Sequence, residues 1–354
     1  MMRLLEIPEY IEDVRRVASL DLPWEKIRKK TLLITGGTGL IGSFLIDVLN
    51  AADIGCKVLL FGRSEEKAKA RFAEYWNAEW LEFVKWEAAS TEIPTIEGPV
   101  DFILHLASNT HPVAYATDPI GTITTNVLAL NNLLALAANK KSERFLFASS
   151  NEIYGENRGD VEQFDEKYCG YIDSNTLRAG YPESKRCGEA LCQAYIRQKG
   201  LDCVIARLTR TYGPTILQTD TKAISQFFNN ALRGEDIVLK SEGKQYYSYQ
   251  YVADSVSGLL TVLLKGDIGD AYNIADESGD ITLRDLAEHI ASQARRRVVF
   301  NLPNSVEAEG FSKASKARLL GLKLLQKGWA PYYAIKAGVE RNLKILREAA
   351  NNGL

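Results

Sequence analysis

A chain of 354 residues carrying 43 basic and 45 acidic side chains can bury one large core or two interleaved ones, and its cancelling charge offers no field for nucleic acid or an anionic membrane. The five cysteines (Cys56, Cys169, Cys187, Cys192, Cys203) have no CxxC spacing, and His105, His111 and His289 have no ligand spacing. That argues against a disulfide framework and against a metal site, and it fits a reducing compartment. The N-terminus is charged and no apolar run approaches bilayer length, so a soluble cytoplasmic protein is expected.

Residues 1–30 read as an appended helical extension. IPEYIEDVRRVASL has helical spacing, with Ile11, Val14 and Val17 or Ala18 on one face. TLLIT then predicts a buried strand and SFLIDVLNAA a helix with Phe44, Leu45, Val48 and Leu49 inward. KVLLFG predicts a strand and Ser64 to Trp80 a charged helix, which Trp76, Trp80 and Trp86 are expected to pack onto a sheet. DFILHLA, RFLFASS and DCVIARL predict further strands, separated by the helices NVLALNNLLALAAN and YPESKRCGEALCQAYIRQ. Continuous apolar strands alternating with helices define a doubly wound parallel α/β sheet. On this pattern residues 31–212 form the sheet domain, with a return segment near 246–265, and 213–354 form a smaller α/β lobe. In that lobe IVLKS and AYNIA predict strands, beside helices at 223–232, 254–264 and 283–294.

TLLITGGTGLIGSFLIDVL places Gly36, Gly39 and Gly42 between a strand and a helix. The first glycine permits a tight turn, the second lets backbone approach a pyrophosphate, and the third lets the helix pack close. Thr38, Leu40 and Ile41 complete the turn, whose free N–H groups and helix dipole favour a dinucleotide phosphate. The bland alternative is an ordinary glycine-rich turn. The next strand ends VLLFGRSEEK, with Arg63 where an acid would bind the ribose hydroxyl of NAD. Arginine suits a 2′-phosphate, so NADP is favoured and NAD is the alternative, while Glu65 and Glu66 weaken the local positive field.

In AGYPESKRCGEA, Tyr181 and Lys185 lie four residues apart around a helix start marked by Pro182. A nearby ammonium would lower the phenol pKa and let Tyr181 exchange a proton with a substrate hydroxyl. YxxxK alone more often marks a surface pair.

These stretches, with HLAS, SSNEIYG, ARLTRTYGP and YQYVAD in this order, resemble the extended short-chain dehydrogenase/reductase family. That family has a Rossmann-type fold and includes nucleotide-sugar epimerases, dehydratases and decarboxylases. The resemblance runs from Thr31 to the C-terminus. It implies that Tyr181 is the acid/base, Lys185 also binds the nicotinamide ribose, and Ser150 hydrogen-bonds the sugar O4. It further implies that Ala107 and Ser108 face the nicotinamide, and that the protein is a homodimer built on two long helices. The shared step is oxidation of a sugar C4 to a ketone.

The fate of that ketone depends on residues beside the catalytic hydroxyl. Dehydratases carry Asp-Glu there and UDP-glucuronate decarboxylases typically Ser-Glu, whereas this chain carries Asn151-Glu152. Glu152 matches the lyases, unless it merely pairs with a loop cation. Asn151 cannot donate a proton in the dehydratase manner. Arg178 fits the decarboxylase pattern of an arginine just before the tyrosine. Arg210 stands where the family has a diphosphate-binding Asn, and Tyr247 where it has an arginine, so their contacts could be swapped. Asn109 follows HLAS at the place where cofactor and substrate meet. His105 is expected to be a satisfied core histidine, Asn126 a buried structural amide, and Cys187 and Cys192 packing residues.

The leading expectation is a nucleotide-sugar enzyme that forms a 4-keto intermediate and then eliminates or decarboxylates, with 4-epimerisation as the runner-up. A reductase of a non-nucleotide carbonyl would consume NADPH. A non-catalytic NADP-binding protein would have no need of Ser150, Tyr181 and Lys185 together.

Overall fold

The computed structural model describes residues 4–351 apart from 89, 91, 109–114, 116, 218–219 and 302–315. The apolar runs form a seven-stranded sheet. From one edge to the other it comprises Ala271–Ile274, Cys203–Leu208, Arg144–Ser150, Phe102–His105, Thr31–Thr35, Lys57–Gly62 and Leu81–Lys85. Every pairing in it is parallel. Both faces are covered by helices, which is why the inner strands are apolar without alternation. The strand order reverses beside Thr31–Thr35, so the glycine loop and the carboxyl ends of the strands open into one crevice.

The segment after Gly213 is shared between two places. Tyr246–Tyr251 lies between Arg210–Tyr212 and Asp280–Thr282 in a small second sheet, and Ile237–Leu239 pairs with Val298–Phe300. The helix Val252–Lys265 is buried almost throughout and packs on the helix Leu40–Ala52 and on the main sheet. AYNIA, read as part of the smaller lobe, supplies the seventh strand of the main sheet.

Several expectations are corrected. The Ser64–Trp80 segment is helical only over Glu65–Arg71, and LEFVK forms the edge strand Leu81–Lys85. Its burial is partial, so its sequence lacks the continuous apolar signature of the inner strands. The N-terminal helix Pro8–Ala18 packs on the rest of the fold through Tyr10, Asp13, Val14 and Val17, which are buried, while Ile11, expected on its inner face, is only partly covered. An apolar helix of bilayer length does exist, Pro119–Lys140, with mean hydropathy 1.4. It lies against the sheet through Asn126, Leu130, Leu133, Leu134 and Ala137. Cys187 is exposed and Cys192 buried.

Candidate active site

Thr31–Thr35 runs into the glycine loop. Gly36 has φ +71°, and a Cβ there would lie 2.7 Å from the Ala107 nitrogen. At Gly42 a Cβ would lie 2.4 Å from the Gly36 carbonyl, so only glycine lets Leu40–Ala52 start this close to the strand. That helix begins without a side-chain cap and without an acid in its first turn. Its free N–H groups therefore face the crevice as an anion would require, and the residues present fit a dinucleotide pyrophosphate. Thr38, Gly39, Leu40 and Ile41 line the same opening. Arg63 follows Lys57–Gly62 and is exposed at the rim. Beside it Trp86 tilts against Phe61 with ring centroids 5.8 Å apart, an apolar wall that no sequence motif marks.

The crevice is a cleft of about 710 Å³, and every site residue singled out from the sequence lines it except Asn109, which lies outside the described residues. The strand Arg144–Ser150 ends there in two hydroxyls that point to different partners. Ser149 donates to the Glu189 carboxylate, on the helix Gly180–Lys199, at 2.5 Å. Ser150 accepts from the Glu152 amide at 3.2 Å, and the Ser150 and Ser108 side chains both act on the Tyr181 phenol in the direction that favours its ionised form. Ser108 donates to Asn126 at 2.7 Å, and Asn126 to Ser184 at 2.9 Å. Asn126 thus holds a chain of hydroxyls beneath the tyrosine.

Tyr181 and Lys185 lie in the first two turns of Gly180–Lys199, and both are buried. The Lys185 ammonium donates to the Ala148 carbonyl at 2.8 Å and sits 5.9 Å from the Tyr181 ring centre. Burial pulls Lys185 down to about 7, with Glu189 opposing. Burial, together with the Glu152 charge, pushes the Tyr181 phenol up to about 12, against the Ser150 hydrogen bond and Arg178. The expectation of a phenol lowered by its lysine is therefore corrected for the free protein. Taking both groups out of water outweighs their mutual effect.

Glu152 is held by Arg178 Nη2, at 2.7 and 2.5 Å from its two oxygens. The Arg178 guanidinium lies 4.8 Å over the ring of Tyr115, and Tyr115 stacks on Tyr181 at 4.9 Å. No sequence motif marks Tyr115; only the fold brings it here. Asn151 is buried and lines the cleft beside Glu152. At the far end Arg210 lies 3.5 Å over the Tyr247 ring, on the paired strands Arg210–Tyr212 and Tyr246–Tyr251. His105 bonds Thr35 through Nδ1 at 2.9 Å and is driven by burial to about 3, so it is neutral. Its Nε2 has no partner among the described residues, which leaves it half satisfied.

A doubly wound sheet, an uncapped glycine-loop helix and a Ser–Tyr–Lys cluster in one crevice define a nicotinamide-dinucleotide enzyme of the short-chain dehydrogenase type. The profile of the NAD dependent epimerase/dehydratase family matches residues 32–275, and the chain belongs to that family. It is 32% identical over 339 residues to UDP-glucuronic acid decarboxylase 1 of Xenopus tropicalis, covering 93% of this chain and 75% of the relative. It is also 32% identical to UDP-glucuronic acid decarboxylase 6 of Arabidopsis thaliana, covering 87% and 86%. A dTDP-glucose 4,6-dehydratase of Streptomyces venezuelae, solved with NAD bound, superposes with TM-score 0.78 at 25% identity over 91% of this chain and 98% of its own.

Proposed function

We propose that this chain oxidises C4 of a nucleoside-diphosphate sugar and then releases the C6 carboxylate of a uronate as CO₂. The observation that carries this reading is Glu152 and Arg178, paired beside Tyr181 and Ser150 in one cleft. A nicotinamide cofactor held by the glycine loop of Gly36, Gly39 and Gly42 and by Lys185 would supply reversible hydride transfer at C4. Tyr181 takes the O4 proton, and Ser150 orients that oxygen. Once C4 is a ketone, the carboxylate on C5 is β to it. The C5–C6 bond breaks as CO₂ leaves, and its electron pair moves onto O4. Ser150 and the protonated Tyr181 donate to that oxygen. C5 then takes a proton from solvent, which restores the C4 ketone, and return of hydride to C4 with transfer of the Tyr181 proton to O4 completes the turnover.

Dehydration would need an acid at the C6 hydroxyl, and Asn151 offers none. The similarity to UDP-glucuronic acid decarboxylases supports the same choice. Incubation with UDP-glucuronate, UDP- and dTDP-glucose, GDP-mannose and UDP-N-acetylhexosamines, read by mass spectrometry, tests it. Loss of 44 mass units, about one CO₂, from UDP-glucuronate is expected. Loss of water indicates a dehydratase and unchanged mass with an altered sugar an epimerase. No change in any, while carbonyl compounds consume NADPH, overturns the reading.

At the diphosphate end Arg210 supplies the positive charge that Tyr247 does not, and their stacking supports this exchange of roles. Unchanged sugar-nucleotide affinity in Arg210→Asn refutes it. For the cofactor, Arg63 supports a 2′-phosphate, while NAD in the Streptomyces relative supports a free hydroxyl. A ratio of NADP to NAD affinity above one that collapses in Arg63→Ser assigns NADP, and a ratio below one assigns NAD. Residues 1–30 as an extension, the sheet domain 31–212 and the lobe 213–354 are kept as a proposed division. A homodimer in a reducing cytoplasm, in keeping with five free thiols, belongs to the same proposal.

A further inference from the structure

Lys185 and Glu189 lie one turn apart on the helix Gly180–Lys199. Two consecutive residues of the strand Arg144–Ser150 hold them. The Ala148 carbonyl accepts from the Lys185 ammonium at 2.8 Å, and the Ser149 hydroxyl donates to a Glu189 oxygen at 2.5 Å. From the next strand, Cys203–Leu208, Arg207 grips the same carboxylate with two arms of its fork, Nε at 3.0 Å and Nη2 at 2.7 Å. Its Nη1 is occupied by the Tyr154 hydroxyl at 2.9 Å and the Glu166 carbonyl at 2.7 Å. The guanidinium is thereby fixed, and the carboxylate with it.

Glu189 and Arg207 line a second cleft, of about 460 Å³, rather than the one that holds Tyr181. Stability alone does not call for such a pair, since apolar residues of similar volume often serve as well in its place. What the pair adds is a charge one turn from the lysine. The other titratable groups that face Lys185 among the described residues are neutral. On its own helix, burial pushes Tyr181 up to about 12, and hydrogen bonding to Cys203 together with burial holds the Cys192 thiol well above its usual range. On the strand Phe102–His105, burial keeps His105 uncharged. Glu189 is therefore the charge that opposes the effect of burial on Lys185. Arg207 offsets part of that charge at the same time as it fixes the group that carries it.

We infer that Glu189 is a positioning residue for the Tyr181–Lys185 pair, keeping the Lys185 ammonium charged on the Ala148 carbonyl, while Arg207 sets how strongly it does so. The two members of one ion pair then act on the lysine in opposite directions. Loss of Glu189 leaves the Arg207 cation facing Lys185 and favours the neutral amine. Loss of Arg207 leaves the carboxylate free to act and favours the ammonium. The tuning bears on the proton transfer of the nucleotide-sugar reading, on which its role in turnover rests.

The test is an NMR titration of the full chain, stripped of cofactor and labelled with ¹³C at the lysine Cε, in which the Lys185 signal is the one missing from Lys185→Met. Glu189→Gln is expected to move the Lys185 midpoint down by about one pH unit, and Arg207→Gln to move it up by a similar amount. In a single turnover with UDP-glucuronate the pH profile of C4 oxidation is expected to move up in the first variant and down in the second, because a charged lysine favours the phenolate. Should either variant not fold, Glu189→Asp and Arg207→Lys loosen the pair without removing a charge, and are expected to move the midpoint in the same two directions by less. Midpoints that stay in place, or that move together alongside a fall in Tm, overturn the inference and leave an ordinary buried ion pair. Opposite movements in a protein that converts no nucleotide sugar uphold the tuning of Lys185 and overturn the functional reading alone.

Discussion

Tyr181 in the free protein holds its proton well above neutral pH, because burial and the Glu152 charge act in the same direction. Glu152→Gln removes one of those causes. The pH profile of C4 oxidation, followed as NADH or NADPH absorbance in a single turnover, is expected to move to lower pH in that variant. An unmoved profile would separate Glu152 from the tyrosine. Lys185 gives a second test through stability. Its folded pKa of about 7 lies below the ordinary 10.5, so the unfolded chain binds the proton that the folded chain sheds between these values. Stability is therefore fully present above 10.5 and is lost as pH falls through about 7. Within that window it rises by up to about 1.4 kcal/mol per pH unit. Lys185→Met is expected to flatten the rise, compared by urea unfolding of cofactor-stripped protein at several pH values in this window. At this scale the motif residues were legible, because their chemistry dictates their type. Neither the ion pair of Glu152 nor the presence of Tyr115 was, since both are contacts between segments distant in sequence.

The glycine loop is the element whose sequence says most about its geometry. Gly42→Ala would drive a Cβ into the Gly36 carbonyl and the Gly37 Cα, so loss of thermal stability and of cofactor affinity is expected together. Gly39 is different, since a Cβ there would meet only the Gly36 carbonyl at 3.2 Å and its φ is −84°. Gly39→Ala is expected to keep the native Tm within a few degrees, roughly the shift of less than 1 kcal/mol. Its cofactor affinity falls, because the methyl would occupy the approach of the pyrophosphate. Fluorescence titration beside a melting curve distinguishes the two variants. Strand Leu81–Lys85 marks the opposite case. It sits at the sheet edge with only Leu81 fully buried, and a strand paired on one side needs no continuous apolar run. Helix Pro119–Lys140 was legible as a helix, and its apolar run NVLALNNLLALAA is compatible with a contact between two copies. Ile120, Ile123 and Leu128 remain exposed there. This surface supports the proposed homodimer, and Leu128→Arg is expected to halve the sedimentation mass.

Across the whole molecule the N-terminal helix is a structural tie. Asp13 is fully buried and accepts from Tyr251 at 2.8 Å, from Tyr333 and from Arg341, linking the first residues to the second sheet and to the C-terminal helix Ile335–Asn351. Tyr10 donates to Asp47, which also holds Arg71 and Tyr75. Asp13→Ala would strand three donors, and a loss of about 3 kcal/mol is expected from urea unfolding, with cofactor affinity unchanged. Nothing local announced this role, because a polar residue within an amphipathic helix reads as its solvent face. The alternating α/β order, the glycine loop and the Ser150–Tyr181–Lys185 set were legible along the chain. These depend on period, backbone freedom and side-chain chemistry, all of which are local. Packing in three dimensions turns Asp13 inward, lets burial raise the Tyr181 phenol beside its lysine, and sets Arg178 on Glu152. Those outcomes depend on which distant groups share a space without water, and one-dimensional spacing does not encode that.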